Sequence, residues 1–369
     1  MLVNHKKILL GFAFFSGFAA LLYEIIWLRE MHLIFGVSFY ALSTVFSAFL
    51  GGLVLGSYFS GRFIDKFTSL KKIAGIYGFV ELFIGVGALM VPLLLDGLTP
   101  SLSFFHNLNI NLFMFNFIRF ILAGFVLLIP TFFIGATFPI ILRLYTETRG
   151  EIKEGISLLY FINTLGGVFG VIIAGFFLIR FFGMRFTLYL GVLINLIIMG
   201  FAFRISKNYG EEKIEDYGVP DSDKEEYSKK IKFVLFLFFI SGFTALAYEV
   251  IWGRLLVLYL YGTTYAASAL LIIFLLGISL GSLIYSRFFK NTNLKHFAYL
   301  EIVIAFFSVL GLYIYPIFPK VQVLGFGTSF GVLFLITSVL IFIPTLCFGI
   351  VFPLISEYVL RRSNKIGSS

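Results

Sequence analysis

The sequence predicts an all-α polytopic membrane protein with about ten transmembrane helices, and three observations carry that prediction. Apolar and aromatic residues make up 60% of the 369 positions, charged residues only 13%, and the mean hydropathy is +1.01. A soluble domain carries about a quarter charged residues, so a soluble enzyme is excluded. The apolar positions gather into runs of roughly 20 residues, the length that crosses a bilayer as a helix. The basic residues lie in short clusters between those runs. A net charge of +9 on one soluble face would suggest nucleic acid, but this distribution points to membrane topology instead, with the lipid bilayer as partner and no nucleic acid.

The runs, taken in order and bounded by charge, are 8–27, 39–63, 73–95, 113–142, 156–182, 186–203, 233–252, 266–285, 297–317 and 330–354. The first follows Lys6 and Lys7. Glu24, Arg29 and Glu30 stand where a leader peptide would need a small-residue cleavage site, so this span is expected to stay in the mature chain. The fourth holds Arg119 together with Pro130 and Pro139, and the tenth holds Pro344 and Pro353. Those prolines free backbone carbonyls that neighbours, water or a ligand must satisfy, which fits either a hinge or a static kink. Gly52 and Gly56 in the second span, Gly277 and Gly281 in the eighth, and Gly166, Gly167 and Gly170 in the fifth make small-residue faces suited to close helix packing.

Of the 28 Lys and Arg residues, 22 fall at the N-terminus, in the loops after spans 2, 4, 6 and 8, and in the C-terminal tail. The opposite loops hold five: Arg29, Arg180, Arg185, Arg254 and Lys320. Positive charge is retained on the cytoplasmic side, which predicts a multi-pass protein of the cytoplasmic (inner) membrane with both termini cytoplasmic. The stretch 206–230 mixes eight acidic residues with five lysines, Gly218 and Pro220, and reads as a polar cytoplasmic linker. It divides the chain into an N-terminal half of six spans, 1–205, and a C-terminal half of four, 231–369.

The two halves share an internal repeat. SGFAALLYEIIWLR at 16–29 matches SGFTALAYEVIWGR at 241–254 with a constant offset of 225, which also carries Tyr40 to Tyr265, Gly52 to Gly277 and Leu55-Gly56-Ser57 to Leu280-Gly281-Ser282. After a five-residue deletion Glu81 meets Glu301, and Ile129-Pro130-Thr131 with Gly135 and Phe138-Pro139 meets Ile343-Pro344-Thr345 with Gly349 and Phe352-Pro353. Spans 1–4 therefore return as spans 7–10, with spans 5 and 6 between. Because an even number of spans separates equivalent helices, the repeats should be parallel and related by an axis along the membrane normal. The second copy reaches the end of the sequence about where LLYFINTLGGVFG of the first begins, which fits a naturally short chain or a longer one.

These segments, with SFYALSTVFSAFLGGLVLGS and IPTFFIGATFP, resemble the membrane domain of the fused major-facilitator-like/spermidine synthase proteins. The resemblance covers nearly all the spans. It implies polyamine-linked membrane biology and, in the family, a soluble aminopropyltransferase domain after the membrane part. No soluble βαβ stretch follows span 10 here, and no strand precedes a Gly-rich phosphate turn. The catalytic part is therefore expected on another chain or lost from this one, if the chain serves such a system at all.

Four carboxylates sit inside spans: Glu24 and Glu249 in the repeated YE(I/V)IW motif, and Glu81 and Glu301 in spans 3 and 9. A charge at mid-bilayer costs ~3 kcal/mol even on lenient scales, so four unpaired ones would cost on the order of 10 kcal/mol and should face a polar interior. They fit cation binding or a proton relay. They also fit structural pairing with Arg119 or with Asn163 and Thr164, or neutral hydrogen-bonding acids. Counting from Lys7 and Lys72, Glu24 lies roughly 25 Å and Glu81 roughly 14 Å from the cytoplasmic end. Trp27 and Trp252 follow Glu24 and Glu249 on nearly the same helix face, fitting a cation–π contact or an anchor at the outer interface. Arg29 and Arg254 are expected to reach the outer headgroups.

The reading these residues support is a transporter-like module that recognises a cation, a polyamine by resemblance, or a proton, with Glu24, Glu81, Glu249, Glu301, Trp27 and Trp252 at the site and Arg119 as ion-pair partner. The alternatives are the membrane anchor of an aminopropyltransferase system and a non-transporting scaffold. No cofactor and no metal site are expected, since His5, His32, His106 and His296 are scattered and Cys347 is the lone cysteine. No hydrolytic centre is visible.

Overall fold

The computed structural model describes residues 2–35, 39–107, 111–146, 152–209, 224–259, 264–289, 293–314 and 330–360. Among them the regular structure is helical: α1 (Leu2–Phe35), α2 (Phe39–Ile64), α3 (Leu70–Asn107), α4 (Leu112–Tyr145), α5 (Ile152–Ile172), α6 (Ile179–Asn208), α7 (Lys224–Tyr259), α8 (Thr264–Phe288), α9 (Leu294–Ile314) and α10 (Phe330–Leu360). A π-helical segment, Ile173–Leu178, joins α5 to α6. The protein is a polytopic α-helical membrane protein.

Nine helical segments among the described residues are long and apolar enough to cross a membrane. One of them, Lys153–Asn208, has 56 residues, and at 1.5 Å per residue it would reach about 84 Å, far beyond a hydrocarbon core of about 30 Å. Gly183 interrupts it with φ 80° and ψ 171°, a left-handed backbone that glycine adopts without the clash a Cβ would bring. The segment is thus long enough for two crossings, the expected spans 5 and 6. Of the polar stretch 206–230, its first residues extend α6 and its last begin α7, while 210–223 lies outside the described residues.

The chain forms two compact units. The first contains α1–α4, residues from Phe169 onward in α5, the π segment and α6; the second contains α5 up to Val168 and α7–α10. Each sequence repeat thus sits in its own unit.

In the first unit α2 lies against α4 along a glycine seam. A Cβ added to Gly52 would stand 1.9 Å from Thr131 Oγ1, one on Gly56 1.8 Å from the Phe132 carbonyl oxygen, and one on Gly135 2.3 Å from the Leu53 carbonyl oxygen. Ser57 Oγ donates to the Gly135 carbonyl at 2.8 Å. The prolines do not interrupt α4; Thr131 Oγ1, beside Pro130, donates to the Leu127 carbonyl at 2.8 Å.

The second unit repeats this seam between α8 and α10. A Cβ on Gly277 would lie 2.0 Å from Thr345 Oγ1, one on Gly281 2.1 Å from the Leu346 carbonyl oxygen, and one on Gly349 2.1 Å from the Ile278 carbonyl oxygen. The small-residue faces are packing surfaces. In this unit α5 is seated by hydroxyls of α8: Ser282 Oγ donates to the Ser157 carbonyl at 2.8 Å and Ser279 Oγ to the Phe161 carbonyl at 3.1 Å. Tyr160 packs on Phe352 of α10 with ring centroids 4.3 Å apart, and Lys153 Nζ donates to the Phe289 carbonyl at the end of α8.

Candidate functional site

A buried polar cluster of the first unit is built by α1, α3 and α6. Glu81 of α3 is 0% exposed. Asn195 Nδ2 donates to Glu81 Oε2 at 2.6 Å, and Tyr23 Oη donates to Asn195 Oδ1 at 2.6 Å. Ser16 of α1 and Tyr77 of α3 place their side chains beside the same carboxylate. Glu81 Oε1 and Tyr77 Oη are both buried without a hydrogen-bond partner in the structure. The described partners of this carboxylate are neutral groups.

Local sequence explains the convergence. Gly191 leaves room on α6 for the Tyr23 ring, since a Cβ there would stand 2.6 Å from Tyr23 Cε1. Gly78 and Gly85 thin the face of α3 that meets α6: added Cβ atoms would lie 3.1 Å from the Phe203 ring and 3.6 Å from Asn195 Cβ. Ser16 and Tyr23 are about two helical turns apart on α1 and so share a face.

The second unit holds a related pair. Ser241, the repeat counterpart of Ser16, donates its Oγ to Glu301 Oε1 at 2.5 Å. Cys347 of α10 lies near Glu301. Glu301 is only partly buried, unlike Glu81.

Glu24 and Glu249 are buried, at 5% and 8% exposure. Glu24, next to Tyr23 in the chain, points about 100° round α1 from it, so α1 meets Glu81 with Ser16 and Tyr23 rather than along the bearing of Glu24. Trp27 and Trp252 are buried, at 0% and 4% exposure. Each stacks on the tyrosine four residues earlier, with Tyr23–Trp27 centroids at 5.7 Å and Tyr248–Trp252 at 5.3 Å. Each also meets a phenylalanine at the repeat offset, Phe49 and Phe274, both at 6.4 Å. Stacking therefore packs both indoles inside the protein.

Arg119 lies over the Phe115 ring at 4.0 Å and the Phe35 ring at 6.0 Å. Arg29 Nη2 donates to the Gly175 carbonyl of the π segment at 3.5 Å. The Arg254 side chain lies outside the described residues.

Asn195 is the residue that sequence reasoning missed, and a lone amide inside span 6 was its only signal. Ser16 and Ser241 were visible as the duplicated first residue of the SGF motif. Glu357, beyond the apolar run assigned to span 10, is a further buried acid, bonded by Tyr285 Oη at 2.6 Å.

No protein-family model and no curated protein sequence matches the chain. Among solved structures it is similar to a chain in the crystal structure of a POT family transporter in complex with a thioalcohol-conjugated peptide. That match has 14% identity and a TM-score of 0.43, and it covers 97% of this chain and 91% of the other. At that level of likeness the functional reading rests on the residues described above.

Proposed function

We propose that the protein is a transporter-like integral membrane module that recognises a cation through its intramembrane carboxylates, with a polyamine as the class the motif resemblance implies. One observation carries the reading. Glu81 is fully buried in a membrane span, oriented through one oxygen by Asn195, with only the hydroxyls of Ser16 and Tyr77 beside it and no aligned hydrogen bond at Oε1. Holding an acid this way costs stability, because a buried carboxylate with only neutral neighbours is poorly compensated; a proton on Oε1, or a cation that has entered the protein interior, would offset that cost. The recurrence of a serine–glutamate pair at Ser241 and Glu301 supports a site built twice. In this reading Glu24 and Glu249 supply further interior anions, and both termini lie in the cytoplasm of an inner-membrane protein.

The test is uptake of labelled spermidine by purified protein in proteoliposomes. Glu81→Gln combined with Glu301→Gln should abolish uptake while the protein still elutes as a monodisperse peak. Uptake unchanged from wild type would remove the cation reading and leave the acids as packing groups.

A further inference from the structure

The internal repeat allows one acid to be compared with its twin. In the first unit the face of α3 that carries Gly78, Glu81 and Gly85 is covered by α6, which supplies Phe203 and Asn195. The repeat register of 220 residues that aligns Glu81 with Glu301 puts Ala298, Glu301 and Ala305 on the equivalent face of α9. Ala298 and Ala305 are exposed, and within the second unit no described helix covers them as α6 covers the face of α3. Glu301 is held from one side only, through Oε1 by Ser241, with Cys347 nearby. The same carboxylate is sealed in one unit and open in the other.

We infer that Glu301 is the accessible acid of the pair, reached across the apolar face of α9, and that it takes the ammonium group of the ligand, while Glu81 is its enclosed counterpart. The inference rests on the cation reading for the nature of the ligand, but the difference in access stands on the packing alone. Small alanine side chains on either side leave the carboxylate reachable by a chain-like ammonium compound. Ser241 fixes one oxygen, so the other is directed to the ligand. Nothing comparable opens at Glu81, where Asn195 occupies the approach from α6.

A hydrophobic carbodiimide tests this directly. A carboxyl group adds across one C=N bond of the reagent to form an O-acylisourea, and the acyl group then shifts to nitrogen; the product is an N-acylurea heavier by one whole reagent molecule, with nothing leaving. The full chain in lipid nanodiscs is treated with dicyclohexylcarbodiimide, and the span peptides are mapped by mass spectrometry. The adduct is expected on Glu301 and absent from Glu81, Glu24 and Glu249. It should be lost in Glu301→Gln, and reduced in Ala305→Leu, which covers the carboxylate without removing the Ser241 bond. Modification of Glu81 at a rate equal to or above that of Glu301 would overturn the inference, as would an unmodified Glu301, the result expected if another protein's helix covers α9 in the membrane. Spermidine should slow the labelling of Glu301. If labelling follows the expected pattern but spermidine has no effect, the open acid stands and the cation reading fails.

Discussion

Asn195 bridges Tyr23 and Glu81, accepting from one through its carbonyl oxygen and donating to the other through its amide nitrogen, both at 2.6 Å. The three residues belong to α1, α3 and α6, so this one side chain ties three helices of the first unit together.

Removing it should therefore be costly. Asn195→Leu strands Tyr23 Oη and Glu81 Oε2 in a buried place, and a stranded polar group costs about 1–3 kcal/mol. A lowered midpoint of unfolding in mixed detergent micelles is the expected result. Tyr23→Phe should lose less, and the double variant should lose less than the two singles added together, because they share a bond.

The glycine seams should tolerate no methyl group. Gly56→Ala and Gly281→Ala drive a Cβ into the carbonyl oxygens of Phe132 and Leu346. Backbone cannot swing aside as a side chain can, so a loss of about 1–3 kcal/mol each is expected, the usual cost of overpacking. Gly124→Ala, with nothing within 4 Å of the new atom, is the control and should leave thermal stability unchanged.

The two tryptophans, Trp27 and Trp252, are the only ones in the chain. Both being buried, their fluorescence should be blue-shifted and resist quenching by lipids brominated near the headgroup. Strong quenching there would place the indoles at the interface, open to lipid.

Tyr285 Oη and Glu357 Oε2 form a bond 2.6 Å long inside the second unit. Tyr285→Phe removes one donor and should cost about 1 kcal/mol, read as a lower melting temperature. Spermidine uptake, if measured in parallel, should be unaffected by this change.

The distribution of Lys and Arg sets the expected topology. A phosphatase reporter fused after the last residue should be inactive and a cytoplasmic reporter at the same place active. The opposite pattern would invert the orientation proposed here.

Much of this architecture was legible in the sequence because the membrane imposes a coarse code. Apolar runs of span length announce helices, and the 225-residue offset announced that Tyr23, Trp27 and Phe49 would have twins in Tyr248, Trp252 and Phe274. Acids in spans stand out against their surroundings. What could not be read is pairing across distance: Asn195 finds partners 114 and 172 residues away, and no local pattern marks an amide for that role. The placement of α5 was equally hidden. Ser279 and Ser282 hold it through backbone carbonyls, which every helix offers. The bond from Arg29 reaches Gly175, a carbonyl within a π-helical stretch that has no sequence signature.

The glycine seams also limit how the molecule can move. Two helices whose backbones touch cannot slide by a single residue without pushing a side chain into a carbonyl group. Each interlocked pair, α2 with α4 and α8 with α10, is thus a single strut, and any rearrangement inside a unit must be carried by the helices that lean on the strut.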